Sequence, residues 1–128
     1  MHPQDAWTEL TDIRKLDPKF KLPRYAQYLG AVERLDRFAR ENYGKGVLEL
    51  AVRWILDRPF VTVGLWGARR PEQLAAVDGV TGWKLDTAAL KAIDGIVGTS
   101  VADPVGPEFM APPARPAQKQ ADAMRRAG

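Results

Sequence analysis

Cysteine is absent from the 128 residues, which excludes disulfides, thiolate metal sites, thiol nucleophiles and redox-active thiol pairs together. Histidine occurs once, as His2, and a position beside the terminus suits neither a catalytic base nor a metal ligand. No apolar run approaches the roughly 18 residues that cross a bilayer. Met1 to Leu10 has neither the basic start nor the apolar stretch of a signal peptide, so a cytoplasmic protein without a membrane partner is expected. Charge of one sign is also scarce: the net value is +3, with Lys and Arg interleaved with Glu and Asp through the middle of the chain. The one biased segment carries Arg115, Lys119, Arg125 and Arg126 in a Pro/Ala-rich tail without an aromatic to stack on bases. A solvated tail accounts for it, and no nucleic-acid partner is expected.

What remains is an ordinary balance of 45% hydrophobic and 27% charged residues, enough for one modest domain. Residues 1–24 have scattered apolar positions and three prolines, Pro3, Pro18 and Pro23, and read as a loop with one helical turn. From Arg24 to Tyr43, Tyr28, Val32, Leu35 and Ala39 recur at helical spacing beside Tyr25, Leu29 and Phe38. Glu33, Arg34, Asp36, Arg37 and Arg40 fill the other side, so an amphipathic helix ending at Gly44 is predicted. A second helix, Val47 to Arg58, presents Val47, Leu48, Ala51, Trp54 and Ile55 on one face and stops at Pro59. Asp86 is placed as the N-cap of a third helix that runs to Gly98, with Leu85 and Leu90 as a hydrophobic staple. Beyond Thr99 the chain is Pro-rich and reads as a tail.

Between the second and third helices lies the stretch richest in functional signal. Phe60 to Trp66 is a nearly unbroken apolar run with β-branched residues, the pattern of a strand buried on both faces of a parallel sheet. Gly64 and Gly67 would let a ligand approach the backbone, and Pro71 suits the first turn of a helix over Pro71 to Val77. Arg69 and Arg70 add two positive charges beside that helix start, so a phosphate or carboxylate would be favoured there. The spacing is neither G-x-G-x-x-G nor a P-loop. Strand-turn-helix units of this kind are also common where nothing binds.

The strand poses a structural problem, because the chain offers no second strand of comparable quality to pair with it. Each buried backbone group left unpaired costs on the order of 1 to 3 kcal/mol. The strand must therefore be completed by residues outside this chain, by another subunit, or not at all. Glu33, Asp36, Glu41 and Glu49 read as a solvated helix face rather than as an acid-base pair, and Tyr25, Tyr28 and Tyr43 read as packing residues. Trp54, Trp66 and Trp83 are expected in the core, with a place lining a cofactor or substrate pocket as the second reading for Trp66 at the strand's end.

Tyr43 to Leu56 followed by Gly67-Ala68-Arg69-Arg70-Pro71-Glu72-Gln73-Leu74 resembles, in order and spacing, the carboxy-terminal part of aldo-keto reductases. Trp83 to Ile96 is similar to that family's last barrel helix, and Asp103 to Phe109 to a subfamily tail. The resemblance spans roughly residues 10–115. It implies an α/β fold, the C-terminal fragment of a (β/α)8 TIM barrel, mostly helical with the strand 60–66 as strand eight. Residues 1–98 would be the partial barrel and 99–128 the Pro-rich tail. It further implies NADP as cofactor, a carbonyl substrate, and hydride transfer from nicotinamide to the carbonyl carbon while a tyrosine protonates the oxygen. Gly67, Ala68 and Arg69 would meet the 2′-phosphate, and Gln73 would approach the adenosine ribose or phosphate. Two departures stand out. The Glu-Asn pair that holds adenine in the family is replaced by Ala76-Val77, and nothing here resembles the barrel half that supplies the catalytic Asp, Tyr, Lys and His. The chain alone is expected to be inactive. As a barrel fragment the chain would take the missing barrel half as partner; the alternative is a non-enzymatic small helical protein, or a shortened family descendant, whose exposed apolar faces are covered by a partner or by self-association as a homo-oligomer.

Overall fold

The structure is a computed structural model and describes residues 13–110. Three α-helices, α1 (Arg24–Tyr43), α2 (Val47–Leu56) and α3 (Thr87–Ser100), carry the fold. Short 3-10 turns at Ile13–Leu16, Pro18–Phe20, Pro71–Leu74, Asp78–Val80 and Pro107–Met110 connect and flank them. Helix α1 packs against both α2 and α3, and α2 against the 78–80 turn. His2 and the basic tail residues Arg115, Lys119, Arg125 and Arg126 lie outside the described residues.

The helix ends follow local chemistry. At the end of α1, Gly44 takes φ 63°, and its N–H and that of Lys45 donate to the carbonyls of Arg40 and Ala39 at 3.0 and 3.3 Å. Only glycine enters that left-handed turn without steric cost. Helix α2 starts three residues later with two leading N–H groups held by side chains. Gly46 donates to Glu49 Oε2 at 3.2 Å and Val47 to Asp36 Oδ1 at 3.0 Å. Asp36 also accepts from Arg40 Nε at 2.6 Å, and that bond, followed by the Val47 N–H, holds its carboxyl below the ordinary value. At α3 the expected cap is present, with Asp86 Oδ1 accepting from the Ala89 N–H at 2.7 Å. Helix α3 runs on to Ser100, past the expected stop at Gly98.

Ala39, Leu50, Leu85, Ala89 and Ile93 form the buried centre, with Leu35, Phe38, Tyr43, Trp54, Trp83 and Leu90 around it. The Tyr43 and Trp83 rings lie 4.9 Å apart, and the Trp83 indole N–H donates to the Gly79 carbonyl at 2.7 Å. Burial, followed by the charges of Asp86 and Asp57, pushes the Tyr43 phenol up. Two expectations about faces are corrected. On α1 it is Ala31, not Val32, that is buried, and Val32 is exposed. On α2 the innermost residue is Leu50, while Leu48, Ala51 and Ile55 stay exposed. Helix α2 is apolar on two sides: one meets α1 and α3 and borders a groove with them, and the other lines a slot beside residues 64–67.

The strand expected over 60–66 does not form, and no strand occurs among the described residues. The reason is pairing. A strand exists through its ladder, and no second strand among the described residues supplies one. Phe60 and Leu65 are each 97% exposed and Val63 70%. The expected helix over Pro71 to Val77 is also absent, replaced by the 3-10 turns at 71–74 and 78–80. Bonds from Ala75, Val77, Gly79 and Val80 N–H each reach back three residues. Leu74 and Val77 are exposed, so no packed face rewards the longer α geometry.

The start of the tail is docked on α1. Arg24 donates from Nε to the Asp103 carbonyl at 2.7 Å and pairs with its carboxylate. Gln27 Oε1 accepts from the Ala102 N–H at 3.0 Å, the Tyr28 hydroxyl accepts from the Val105 N–H at 3.3 Å, and Arg34 donates to the Thr99 and Ser100 hydroxyls. Val101 is buried beneath them.

One nearly buried ion pair joins these parts. Arg53 and Asp57, one turn apart on α2, have side chains only 13% and 9% exposed. Asp57 Oδ2 accepts from the Leu85 N–H at 2.8 Å, and Arg53 reaches the Val80 carbonyl at 3.5 Å. Burial pushes the Asp57 carboxyl up, but bonds from Arg53 and the Leu85 N–H, with the charges of Arg53 and Lys84, outweigh it and leave it below the ordinary value. A depressed carboxylate stabilises the fold fully above its unfolded-chain value of about 4 and loses that contribution as pH falls through the lower folded value. Thermal melts by circular dichroism should therefore drop in midpoint below about pH 4. Asp57→Asn should cost about 3 kcal/mol near neutral pH and flatten the acid limb, leaving the part due to Asp36 and Asp17. An unchanged acid limb in the variant would remove Asp57 from this role.

Candidate functional site

The sequence-predicted site is a surface turn that follows α2. Arg58, just past the helix end, lies with its guanidinium 4.2 Å above the Trp54 ring, and it donates to Asp94 Oδ1 at 2.6 Å. The Trp54 indole N–H reaches the same oxygen at 3.3 Å. That cation is thus matched. The chain then crosses α2, where a Cβ built on Gly64 would sit 3.6 Å from Ile55 and Leu56 side-chain carbons. A side chain at Gly64 would thus point at protein, while the exposed glycine itself borders the slot beside α2. Trp66 is half-buried and, with Leu48, Val52, Ile55, Leu56 and Leu65, lines an apolar slot of about 210 Å³. The slot lies against α2, so the pocket expected at Trp66 is a groove between the turn and a helix.

Gly67, Ala68, Arg69 and Arg70 come next, all exposed. A Cβ on Gly67 would meet nothing within 4 Å, so its surroundings are open. Neither Arg69 nor Arg70 forms an ion pair among the described residues, and both guanidinium groups face water. One carboxylate, the exposed Glu72, follows in the 71–74 turn. The balance of fixed charge over 69–72 is +1.

The amides of this turn are arranged differently from the sequence expectation. Gln73 Oε1 accepts from the Arg69 N–H at 2.7 Å and the Arg70 N–H at 3.2 Å, and the Gln73 N–H donates to the Arg70 carbonyl at 3.1 Å. The leading N–H groups thus turn inward to a side chain of the same turn. Sequence reasoning gave Gln73 a ligand contact and missed this tether. The signal was present, because a Gln three residues after the residue preceding Pro71 has the spacing of a capping box.

The remaining candidates have structural partners. Tyr25 lies against Phe20 with ring centroids 5.7 Å apart, Tyr28 holds Val105, and Tyr43 is in the core. Asp36 and Glu49 cap α2. Ala76 is half-buried and Val77 exposed, and neither has a polar side-chain atom to offer. Among the described residues no group of three or more His, Cys, Asp or Glu is placed to hold a metal ion, and no helix is long and apolar enough to cross a membrane.

The family model "Aldo/keto reductase family" matches residues 4–97, which takes in the turn, all of α1 and α2 and most of α3. The chain belongs to the aldo/keto reductase family. It is 54% identical over 104 residues to the aldo-keto reductase YhdN of Bacillus subtilis, an alignment that covers 81% of this chain and 31% of that protein. Among solved structures it is similar to a glycerol dehydrogenase from Gluconobacter oxydans, with a TM-score of 0.66 and 44% identity over 78% of this chain and 30% of that one. The chain thus spans about a third of the length of these aldo-keto reductase relatives. The family fold is a TIM barrel, and its members generally use NAD(P)H with a carbonyl substrate. These comparisons lend no support to a non-enzymatic helical protein acting through its apolar faces.

Because Gly67 has open surroundings and no positive φ, Gly67→Ala should change folding stability by less than about 0.5 kcal/mol in a denaturant titration. A loss above about 1 kcal/mol would mean that the glycine serves the fold instead of the open face of the turn.

Proposed function

We propose that this chain forms the carboxy-terminal third of an NADPH-dependent carbonyl reductase barrel and supplies one wall of its cofactor site. In this reading residues 1–98 are barrel and 99–128 tail. Phe60 to Trp66 becomes strand eight once neighbouring strands pair with it, which would bury the apolar side chains now exposed there. The observation that carries the reading is the Arg69–Arg70 pair, exposed and without an acidic partner among the described residues, inside the family-matched stretch and directly after that segment. Active-site residues of such barrels stand at the C-terminal ends of strands.

The residues fit a nucleotide phosphate. Arg69 brings a planar fork of donors suited to phosphate oxygens, Arg70 adds charge, and Gly67 and Ala68 leave the approach open. The preference for NADP over NAD rests on this charge, because a 2′-phosphate is what two guanidinium groups would reward. Ala76 and Val77 give adenine no polar contact. NADPH, when bound, supplies the hydride, and this chain's part is to hold the adenosine end. The carbonyl substrate and the proton donor belong to the barrel portion that this chain does not cover.

The reading is tested by mixing the chain with NADPH and a panel of aldehydes, alone and together with the part of the Bacillus relative that it does not cover, and following absorbance loss. The chain alone should be silent and the mixture active, with Arg69→Ala weakening NADPH about tenfold in the mixture, as loss of a charged phosphate contact implies. Turnover by the chain alone, or a stable complex indifferent to Arg69, would overturn it.

A further inference from the structure

Phe60 and Leu65 stand almost wholly in water, and Val61 and Val63 between them are exposed as well. Their main chain is open too. Among the described residues, the one backbone hydrogen bond made by 60–66 runs from the Val61 N–H to the Arg58 carbonyl at 3.1 Å. Such a free edge is a template for pairing with another chain. Next to this ridge lies the apolar slot of about 210 Å³, bordered by Leu48, Val52 and Leu56 of α2 and by Leu65 and Trp66. Phe60 follows the end of α2 by four residues and precedes Leu65, on the slot's rim, by five. A projecting aromatic ring and an open recess thus belong to one short stretch of the chain.

We propose that this surface is where a second copy of the chain docks, in a two-fold pair in which Phe60 of each copy enters the slot beside α2 of the other and Val63 and Leu65 pack across the axis. A ring on one molecule that fits a recess on the next builds either a closed pair or an endless chain, according to whether the rotation relating them closes. Ring and recess lie side by side here, so one two-fold rotation seats both contacts at once. An aromatic anchor in an apolar pocket is also the kind of contact that carries most of an interface's affinity.

Charge and area agree with that occupant. No charged side chain occurs from Pro59 to Trp66, and the nearest two, Asp57 and Arg58, are already paired within the chain. Nothing charged has to leave water, as in the centre of a specific interface. The exposed side chains of 60–65, with Leu48 and Ile55 at the rim, offer roughly 600 Å² from each copy. The pair would bury about 1,200 Å² in total, the lower bound for a specific complex, which implies a dissociation constant on the order of micromolar. The docking does not depend on the cofactor reading. On that reading barrel strands would cover the same side chains, so the second copy and the barrel portion exclude one another.

Sedimentation velocity on the full chain, from high nanomolar to high micromolar concentration, reads the association. The wild type should pass from one chain to two, with a midpoint on the order of micromolar, and stop at two. Phe60→Ser removes the ring and Leu48→Lys puts a charge on the slot's rim; both positions are exposed, and far-ultraviolet circular dichroism should show the helices intact. Each variant should weaken the pair at least about thirtyfold, as loss of a central anchor implies. Val32→Ser, at an exposed apolar position of α1 that is not part of the slot, should leave it unchanged. A mixture of the Phe60→Ser and Leu48→Lys chains should pair about tenfold more tightly than either variant alone. One intact ring then meets one intact recess, a contact that neither variant can make with itself.

A wild type that stays a single chain throughout, growth beyond two, or a mixture no tighter than its components would each overturn the proposal. Equal weakening by Val32→Ser would overturn it as well, since association would then follow exposed apolar surface in general. Titrating in the part of the Bacillus relative that this chain does not cover should split the pair, and a pair that holds while that portion binds would overturn the placement of the interface. A pair with the expected variants, and no binding of that portion, would uphold the docking surface and count against the barrel reading.

Discussion

The Arg53–Asp57 pair is the constraint on which the arrangement of the helices depends, because it is where three separate stretches of chain meet on charged groups that have left water. Asp57 stands at the end of α2, its oxygens shared between the Arg53 guanidinium and the N–H of Leu85, two residues before α3 begins. Arg53 reaches in turn to the carbonyl of Val80. A buried ion pair does not add much stability over apolar packing, but removing one partner is costly because the other is left uncompensated. The pair therefore specifies position. It sets where the loop 57–84 must return, and so it sets the height at which Leu85, Ala89 and Ile93 meet Leu50 and Ala39 in the core.

The loop so closed is the part with least support from packing. Its two ends are pinned by the clasp and by Arg58 between Trp54 and Asp94, while the apolar residues in its middle remain in water. Exposed Phe60, Val63 and Leu65 on an unpaired backbone are unusual for a finished surface. A second apolar surface stands open where the three helices meet, a groove of about 530 Å³ bordered by Leu35 of α1, Val47, Ala51 and Ile55 of α2 and Val97 of α3. The chain covers about a third of the length of the relatives it matches.

Much of the helical skeleton was legible in the sequence because its determinants are local. Asp86 caps Ala89 three residues on, and Gly44 ends α1 through bonds to residues four and five back, so a reader of spacing finds both. The strand was legible only as a preference, since Phe60 to Trp66 has the composition of one but the ladder depends on residues far away in sequence. The Asp57 clasp left no sequence trace at all: Leu85 is 28 positions away and contributes only its main chain. At the candidate site the charges of Arg69 and Arg70 and the open glycine Gly67 were readable. The inward turn of the amides shows in the sequence only as the capping-box spacing from Arg70 to Gln73, a spacing that suits a ligand contact of the same side chain equally well.

The docking of residues 99–105 on α1 has a bearing on how freely this surface can change. Ala102 and Val105 are held through their N–H groups and Asp103 partly through its carbonyl, so the helix reads the path of the segment and not its side chains. Apart from the buried Val101, it is Arg24 at the Asp103 carboxylate and Arg34 at the Thr99 and Ser100 hydroxyls that ask for a particular residue. Mutational drift at 102 and 105 can then alter the outer face of the protein, its bulk, polarity or charge, while the main chain keeps its course. A stretch of that kind can diversify under selection without the helices beneath it having to adjust.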